Sequence, residues 1–338
     1  MGLVRLRLVA LSLIFVIPTF ASRAWAGKND LQLLNLCPST PSILKVPECS
    51  WVQRQPDGSI TSVVPDLNGR QDFRSLMSEL GVVLAPRIPS VAGTGGMKGF
   101  QLSFELGLTE ISNHRSLWNG VEGASATNPY GGPRPDPNLT TVGAFVSKGI
   151  SLPPVPTVEL GFGAMHLLDS HLTSWQGYAK VAIHEGFDDR PLPSFALRLA
   201  VSFLTGTDQV TMTTTSLDLL VSKGFALLKT ARIEPFAGLS WISIFASSGR
   251  IDAIPSCRAT PSGAAPVGSG SAYCASFSFP DQDAITRFRL LAGFKLKFSV
   301  VVFAAQYEAF FAGSSQSSGA KDRSATQSAL SLSAGLGF

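Results

Sequence analysis

Residues 99–108 read GFQLSFELGL, and a large apolar side chain occupies every second position from Phe100 to Leu108. Between them stand Gln, Ser, Glu and Gly, which are polar or small. A period of two residues is the signal of a β-strand whose two faces meet different surroundings. The same alternation recurs in residues 194–204, 287–298 and 329–338.

Ten segments of this kind follow one another along the chain, and each is 10 to 15 residues long. Strands in soluble sheets usually have about 5–6 residues. A tilted strand needs about 9–11 residues to cross a bilayer. The sequence therefore predicts an all-β, antiparallel, up-and-down transmembrane barrel of about ten strands over residues 98–338. The predicted strands are 98–112, 140–149, 156–168, 173–185, 194–206, 211–224, 232–246, 284–297, 300–311 and 326–338.

The connections between these strands are unequal in length. Three are long, and all three fall at the same end of the predicted barrel: 113–139, 247–283 and 312–325. Outer-membrane barrels have short periplasmic turns, longer extracellular loops and an even number of strands. With a periplasmic C-terminus, the three long connections lie on the outer side.

The final strand, ALSLSAGLGF at 329–338, ends in Phe338 with apolar residues at alternating positions before it. In this the chain resembles the Gram-negative outer-membrane β-barrel proteins, over residues 98–338. The resemblance implies that the barrel is embedded in outer-membrane lipid. It also implies that the barrel-assembly machinery recognises the C-terminal strand through Phe338. The resemblance is to a class, so it implies no catalytic residue.

The first 26 residues have the pattern of a secretory signal peptide. Arg5 and Arg7 precede an apolar run over residues 8–17, and Ala24-Trp25-Ala26 is an A-x-A cleavage site. We expect cleavage after Ala26 and export to the outer membrane. Cleavage removes three arginines and no acidic residue, which lowers the formal net charge from +4 to +1. No clustered basic face remains, so nucleic acid is not an expected partner.

The four cysteines fall in two local pairs, and disulfides are permitted in an exported protein. Four cysteines allow three connectivities, of which pairing between near neighbours is the simplest. Zinc sites usually show closer C-x₂₋₄-C spacing, so no metal or other cofactor is expected. The predicted disulfides are Cys37–Cys49 and Cys257–Cys274.

Residues 27–97 differ from the barrel, since proline is frequent up to residue 65 and long alternation is missing. Residues 71–80, QDFRSLMSEL, place four large apolar residues on one helical face, and Gly81 could end such a helix. This segment could be a periplasmic cap or a plug in the barrel. Residues 59–64 and 81–88 could also be strands, which would make twelve instead of ten.

Charged residues occupy the face of the strands opposite the apolar one, so they are expected in the lumen. Ten strands are close to the size at which side chains just fill a barrel. A packed lumen of paired charges is therefore favoured over a narrow polar pore with a positive stripe. The predicted lumen-lining residues are Glu105, Glu159, Lys180, Arg198, Asp218, Arg289, Lys295, Lys297 and Glu308.

The catalytic candidates are few. His166, Asp169 and His171 lie together at the outer end of one predicted hairpin, and a histidine beside a carboxylate can activate water. The chain has neither a G-x-S-x-G elbow nor an H-E-x-x-H pair.

Three functions remain open, each without an assigned ligand. The first is a narrow or gated pore for small polar solutes. The second is a structural or surface-binding protein with a closed lumen, in which loops 113–139 and 247–283 do the binding. The third, an outer-membrane hydrolase, is the least supported because sequence alone cannot supply the geometry that catalysis requires.

Overall fold

The structure is a computed structural model that describes residues 27–40, 48–56, 60–88, 91–96, 99–122, 135–150, 157–185, 192–228, 230–253 and 276–338. The expected signal peptide and the expected Cys257–Cys274 disulfide lie outside these residues.

The N-terminal part contains short elements followed by one long helix. A disulfide joins Cys37 to Cys49, as predicted, with 5.5 Å between the Cα atoms. Helix α1 begins where the Asp66 side chain accepts a hydrogen bond from the Gly69 amide at 2.7 Å, which caps its first turn. Among the described residues, no helix is long and apolar enough to cross a membrane. The elements are a 3₁₀ turn Leu33–Leu36, β1 Ser39–Thr40, β2 Glu48–Cys49, β3 Val52–Arg54, β4 Ile60–Val63 and α1 Leu67–Val83.

Ten long antiparallel strands, counted over the described residues, form a closed barrel in which chain neighbours are also barrel neighbours. The last strand pairs with the first, and β10 pairs with β12 to complete the ring. The barrel strands are β5 Phe100–Glu110, β6 Asn138–Ile150, β7 Val158–Leu167, β8 Thr173–His184, β9 Ser194–Thr205, β10 Val210–Ser222, β12 Ala231–Ser248, β15 Gln282–Phe298, β16 Val301–Phe310 and β19 Gln327–Gly337.

The remaining strands are short. β11, Phe225–Leu228, extends one side of the barrel by pairing with the start of β12. Two small hairpins lie within the long connections: β13 Ile251–Asp252 with β14 Ser276–Phe277, and β17 Gln316–Ser317 with β18 Ala320–Lys321. Every barrel strand begins and ends within two residues of its predicted bounds. β12 has one register irregularity against β15, between Ile244 and Ala246.

The outside of the barrel is apolar along the whole height of the strands. On β5 the exterior residues run from Phe100 to Leu108, and Phe104 is 59% exposed. Cross-strand aromatic pairs reinforce this surface: the Trp241 and Phe288 rings, opposite each other in register, have centroids 5.1 Å apart. A continuous belt of exposed Phe, Leu, Val and Trp is favourable only against lipid.

The twelve-strand alternative is wrong. Ile60–Val63 pairs only with Val52–Arg54, in a small hairpin outside the barrel. Residues 81–88 are the last turn of α1 and the extended chain that follows it. Gly81 does not end the helix, which continues to Val83. A Cβ at Gly81 would lie 2.6 Å from the Ile244 side chain, so the glycine permits α1 to approach the barrel wall.

The two ends of the barrel differ, and we name them by their connections. The loop end carries the three long connections, before β6, β15 and β19, together with two short ones, whereas the turn end carries short connections alone, including the two-residue turn Ser299–Val300. Helix α1 lies at the loop end, where Phe73, Leu76 and Leu80 belong to the main apolar core.

Residues 84–88 and 91–96, which together we call the traversing segment, run through the lumen from the loop end to the turn end. There the chain reverses into β5 through glycines that approach each other closely. A Cβ on Gly149 of β6 would lie 2.0 Å from the Gly96 carbonyl oxygen, and one on Gly99 would lie 2.3 Å from the Cα of Gly95. Main-chain atoms cannot move aside as side chains can, so this reversal depends on glycine.

We predict that Gly149→Val destabilises the folded barrel by about 1–3 kcal/mol or more, because the added side chain collides with main chain. Gly177→Val is the matched control. Gly177 shares the exterior face with Trp175, and its nearest neighbouring atom would be 3.9 Å away. The temperature at which the compact gel band converts to the unfolded band measures the difference. Equal midpoints for the two variants would contradict the close approach.

Candidate functional site in the barrel lumen

The traversing segment has no partner strand among the described residues, so its main-chain groups need other partners. Buried side chains of the wall supply them. Arg289 donates to the Pro86 carbonyl at 3.0 Å, Arg198 to that of Ile88 at 2.7 Å, and Lys180 to that of Val91 at 2.9 Å. In the other direction, the Ala92 amide donates to Ser222 Oγ at 3.0 Å. The wall thus replaces the hydrogen bonds that a neighbouring strand would provide.

A chain of ion pairs, which we call the central ion cluster, lines one side of the lumen on strands β9, β10, β15 and β16 and reaches the traversing segment. Arg289 donates to Asp218 at 3.0 Å and to Glu308 at 2.9 Å. Arg198 pairs with the second oxygen of Asp218 at 2.6 Å. Arg87, from the traversing segment, lies 3.5 Å from Glu308. All five side chains are at most 1% exposed, so each charge depends on its partners for stabilisation.

The central ion cluster has further support from its surroundings. Ser240 donates to Asp218, and Gln306 donates to Glu308 at 2.7 Å. Glu105, also buried, faces Arg87 across the lumen. The Phe310 ring lies under two of the guanidinium groups, at 5.8 Å from Arg87 and 5.7 Å from Arg289.

A second group of charges lies nearer the turn end. Glu159 pairs with Lys180 at 3.1 Å and accepts a hydrogen bond from the Tyr178 hydroxyl at 2.7 Å. Beyond it, a cavity of about 280 Å³ opens at the turn end. Lys295 and Lys297 line this cavity, and Lys295 donates to Gln101 at 2.7 Å. Between this cavity and the loop end, the described part of the lumen holds the traversing segment and the central ion cluster.

Helix α1 closes the loop end through a polar face that is as buried as its apolar one. Glu79 accepts hydrogen bonds from the Ser112 amide at 3.0 Å and from the Trp118 indole at 2.8 Å. Arg287 of the wall donates to Ser78 at 2.9 Å. Arg74 donates to Gln282 at 3.0 Å, and its burial lowers the pKa of its guanidinium. The helix is therefore fixed at the loop end by both faces.

The described residues before α1, 27–40, 48–56 and 60–66, which we call the cap, lie against the connections of the loop end. The Leu33 amide donates to Gln209 Oε1 at 2.7 Å, and Leu31 pairs with Val121. The Trp51 ring packs edge-on against Phe277, with centroids 5.4 Å apart. The cap therefore covers the mouth of the barrel from outside it.

The three catalytic candidates do not form one arrangement. His166 shares the exterior face of β7 with Phe162, and its Nδ1 lies 3.1 Å from the Thr173 hydroxyl. His171 has Asp30 of the cap as its carboxylate partner, at 2.6 Å. Asp169 instead lies 3.4 Å from Lys28. His171 and Asp169 therefore hold the cap in place, whereas His166 lies on the outer wall of the barrel.

Several residues of the lumen escaped the sequence analysis. Arg87 and Glu79 lie in the segment where alternation is missing, so nothing marked their burial. Two signals could have pointed to it. A lone arginine between apolar residues and prolines, in LAPRIPS at 84–90, needs a carboxylate partner if buried. The glycine-rich GTGG at 93–96 indicates that the backbone approaches another chain closely.

Comparisons with known proteins give distant structural matches only. The attachment invasion locus protein Ail of Yersinia pestis is 11% identical, with 71% of this chain and 99% of that one covered and a TM-score of 0.25. The β domain of the Bordetella autotransporter BrkA is 14% identical, with 71% and 99% covered and a TM-score of 0.38. The translocator domain of NalP from Neisseria meningitidis is 14% identical, with 78% of this chain and 92% of that one covered and a TM-score of 0.34. No protein-family model and no curated protein matches the sequence.

The closed ring of ten long strands, its apolar exterior and its polar interior define a class. The protein is a transmembrane β-barrel of the outer-membrane type. In the described part of the chain, the protein's own traversing segment occupies the lumen and a cap covers the loop end.

We predict that Asp218→Asn lowers the free energy of unfolding by about 3–5 kcal/mol, because Arg198 loses its carboxylate and Arg289 keeps only Glu308. Urea unfolding of the refolded barrel, followed by gel mobility, measures the loss. Asp252→Asn removes an exposed carboxylate at the loop end and should change stability by less than about 0.5 kcal/mol. A similar small effect at Asp218 would show that the cluster does not hold the lumen together.

Proposed function

We propose that this protein is a closed outer-membrane barrel that anchors its N-terminal cap at the cell surface. The observation that carries the proposal is the course of the traversing segment through the lumen. This segment connects a cap at the loop end to a first strand that starts at the turn end. Long connections face the outside in barrels of this class, so the cap lies on the outer side.

The occupied lumen supports the second function predicted from the sequence over the first. A narrow pore needs a continuous aqueous path, whereas the middle of this lumen holds Arg87, Arg289 and Glu308 in direct contact. Opening it would expose or separate paired charges and break the main-chain bonds of the traversing segment, each of which costs free energy. The barrel therefore serves as an anchor, and the surface formed by the cap and long connections is the part that meets partners.

The remaining expectations complete this proposal. The signal peptide is removed, and the barrel-assembly machinery recognises the last strand through Phe338. In the folded barrel Phe338 closes the seam between first and last strands, since its amide donates to the Phe100 carbonyl at 2.8 Å and its carbonyl accepts from the Phe100 amide at 3.2 Å. The hydrolase alternative gains no support from the positions of His166 and His171.

The orientation can be tested with single cysteines and a membrane-impermeant maleimide on intact cells. Thr61→Cys places a thiol on exposed β4 of the cap and should be labelled without permeabilisation. Val300→Cys places one in the two-residue turn at the other end and should be labelled only after permeabilisation. The unaltered protein gives the background. The opposite pattern would contradict a cap at the cell surface.

The closed state can be tested by planar-bilayer recording of the refolded full-length protein. We expect no steady single-channel conductance in 1 M salt. At this ionic strength the Debye length is about 3 Å, so ion pairs on the surface are screened, whereas buried ion pairs are much less affected. Arg87→Ala should introduce intermittent openings, because it removes the link between the traversing segment and Glu308. A stable ohmic conductance in the unaltered protein would favour the pore instead.

A further inference from the structure

Gly27 is the first described residue, and it packs closely against the main chain of the connection between β7 and β8. A Cβ at Gly27 would lie 2.2 Å from the Asp169 carbonyl oxygen and 2.8 Å from the Cα of Ser170. Both are main-chain atoms, so no larger residue fits without displacing the backbone. The next residues bind the same connection: the Asn29 amide donates to the Asp169 carbonyl at 3.0 Å.

The nitrogen of Gly27 points to a carboxylate. It donates to Oδ2 of Asp30 at 2.7 Å. The same side chain accepts from the main-chain amide of His171 at 2.6 Å and lies 2.6 Å from its Nδ1 atom. Only 15% of the Asp30 side chain is exposed, so an additional charge on the Gly27 nitrogen would be less screened here than in open solvent.

The neighbouring charges leave Asp30 to this nitrogen and to His171. Lys28, the nearest other cation of the cap, pairs with Asp136 at 2.5 Å and with Asp169 at 3.4 Å. Its hydrogen bond with Asp136 raises the pKa of Lys28, so that ammonium remains charged and occupied elsewhere. Lys28 is therefore the cationic partner of Asp136 and Asp169, whereas Asp30 contacts the Gly27 nitrogen and His171.

We propose that Asp30 and the connection 169–171 form a binding site for the α-ammonium of the mature chain, with Gly27 as its first residue. Hydrolysis of the Ala26–Gly27 bond by one water molecule leaves a carboxylate on Ala26 and an ammonium on Gly27. The hydrogen bond from Gly27 to Asp30 then becomes charge-assisted, which is about twice as strong as a neutral one. Removal of the signal peptide therefore fixes the cap to the barrel. This inference rests on the predicted cleavage position and holds whichever way the barrel faces.

The test uses the full mature protein purified from the outer-membrane fraction in a mild detergent. Intact mass should show a chain that begins at Gly27. An N-hydroxysuccinimide ester at pH 7 should then modify the α-amine slowly, with the rate read by peptide mass mapping and normalised to exposed Lys321. Because the ion pair keeps the amine protonated, Asp30→Asn should raise this rate about tenfold, equivalent to one pKa unit.

Two further variants separate the site from general loosening of the cap. Gly27→Ala should raise the rate of α-amine modification similarly, because the added Cβ displaces the N-terminus from its contact with the connection 169–171. Asp136→Asn removes one of the two carboxylate partners of Lys28 but leaves Asp30 in place, so the α-amine rate should stay the same. A mature chain that begins elsewhere, an unchanged rate in Asp30→Asn, or an equal rise in Asp136→Asn would each overturn the proposal.

Discussion

The structure of the lumen depends on the contact in which the Arg289 guanidinium bridges Asp218 and Glu308. This contact joins three strands on one side of the barrel wall, and the same guanidinium donates to the Pro86 carbonyl of the traversing segment. Through Glu308 the contact extends to Arg87, and through Asp218 to Arg198. Wall and segment are thereby held by one set of buried charges, and the removal of any one of them takes a partner from another.

Buried ion pairs of this kind contribute little net stability compared with apolar packing of the same volume. Their contribution here is to positional specificity. The apolar residues of the traversing segment, such as Ile88 and Val91, pack in two small clusters and would tolerate displacement along the lumen. The hydrogen bonds from Arg198 and Lys180 do not tolerate such a displacement, since each side chain donates to a main-chain carbonyl at one position of the segment. Charge sets the register of the segment, and apolar packing fills the space around it.

The barrel could be predicted from the sequence because its signal is local and repeated. Each strand shows its own alternation, and a bilayer demands the same length from all of them, so the bounds agreed to within two residues. The inward positions of Glu105 and Arg198 followed from the same alternation. The cap and the traversing segment could not be predicted in this way. Arg87 finds Glu308 more than 200 residues away, and Asp30 finds His171 across 141, so no local pattern records either contact.

The glycine reversal at the turn end has a consequence for the order of assembly. The traversing segment and β5 are the two arms of one chain reversal. The traversing segment lies inside the ring of strands, and β5 is one of the strands of the ring. The cap at the far end of the inner arm contains a disulfide and packs against a 17-residue helix, so a folded unit is attached to the arm that lies inside the ring. Either the cap crosses the membrane unfolded and oxidises afterwards, or the seam between Phe100 and Phe338 closes last, around a hairpin already in place. In both cases oxidation of Cys37 and Cys49 and completion of the ring are steps in a fixed sequence, and the first strand to be synthesised is committed before the last one arrives.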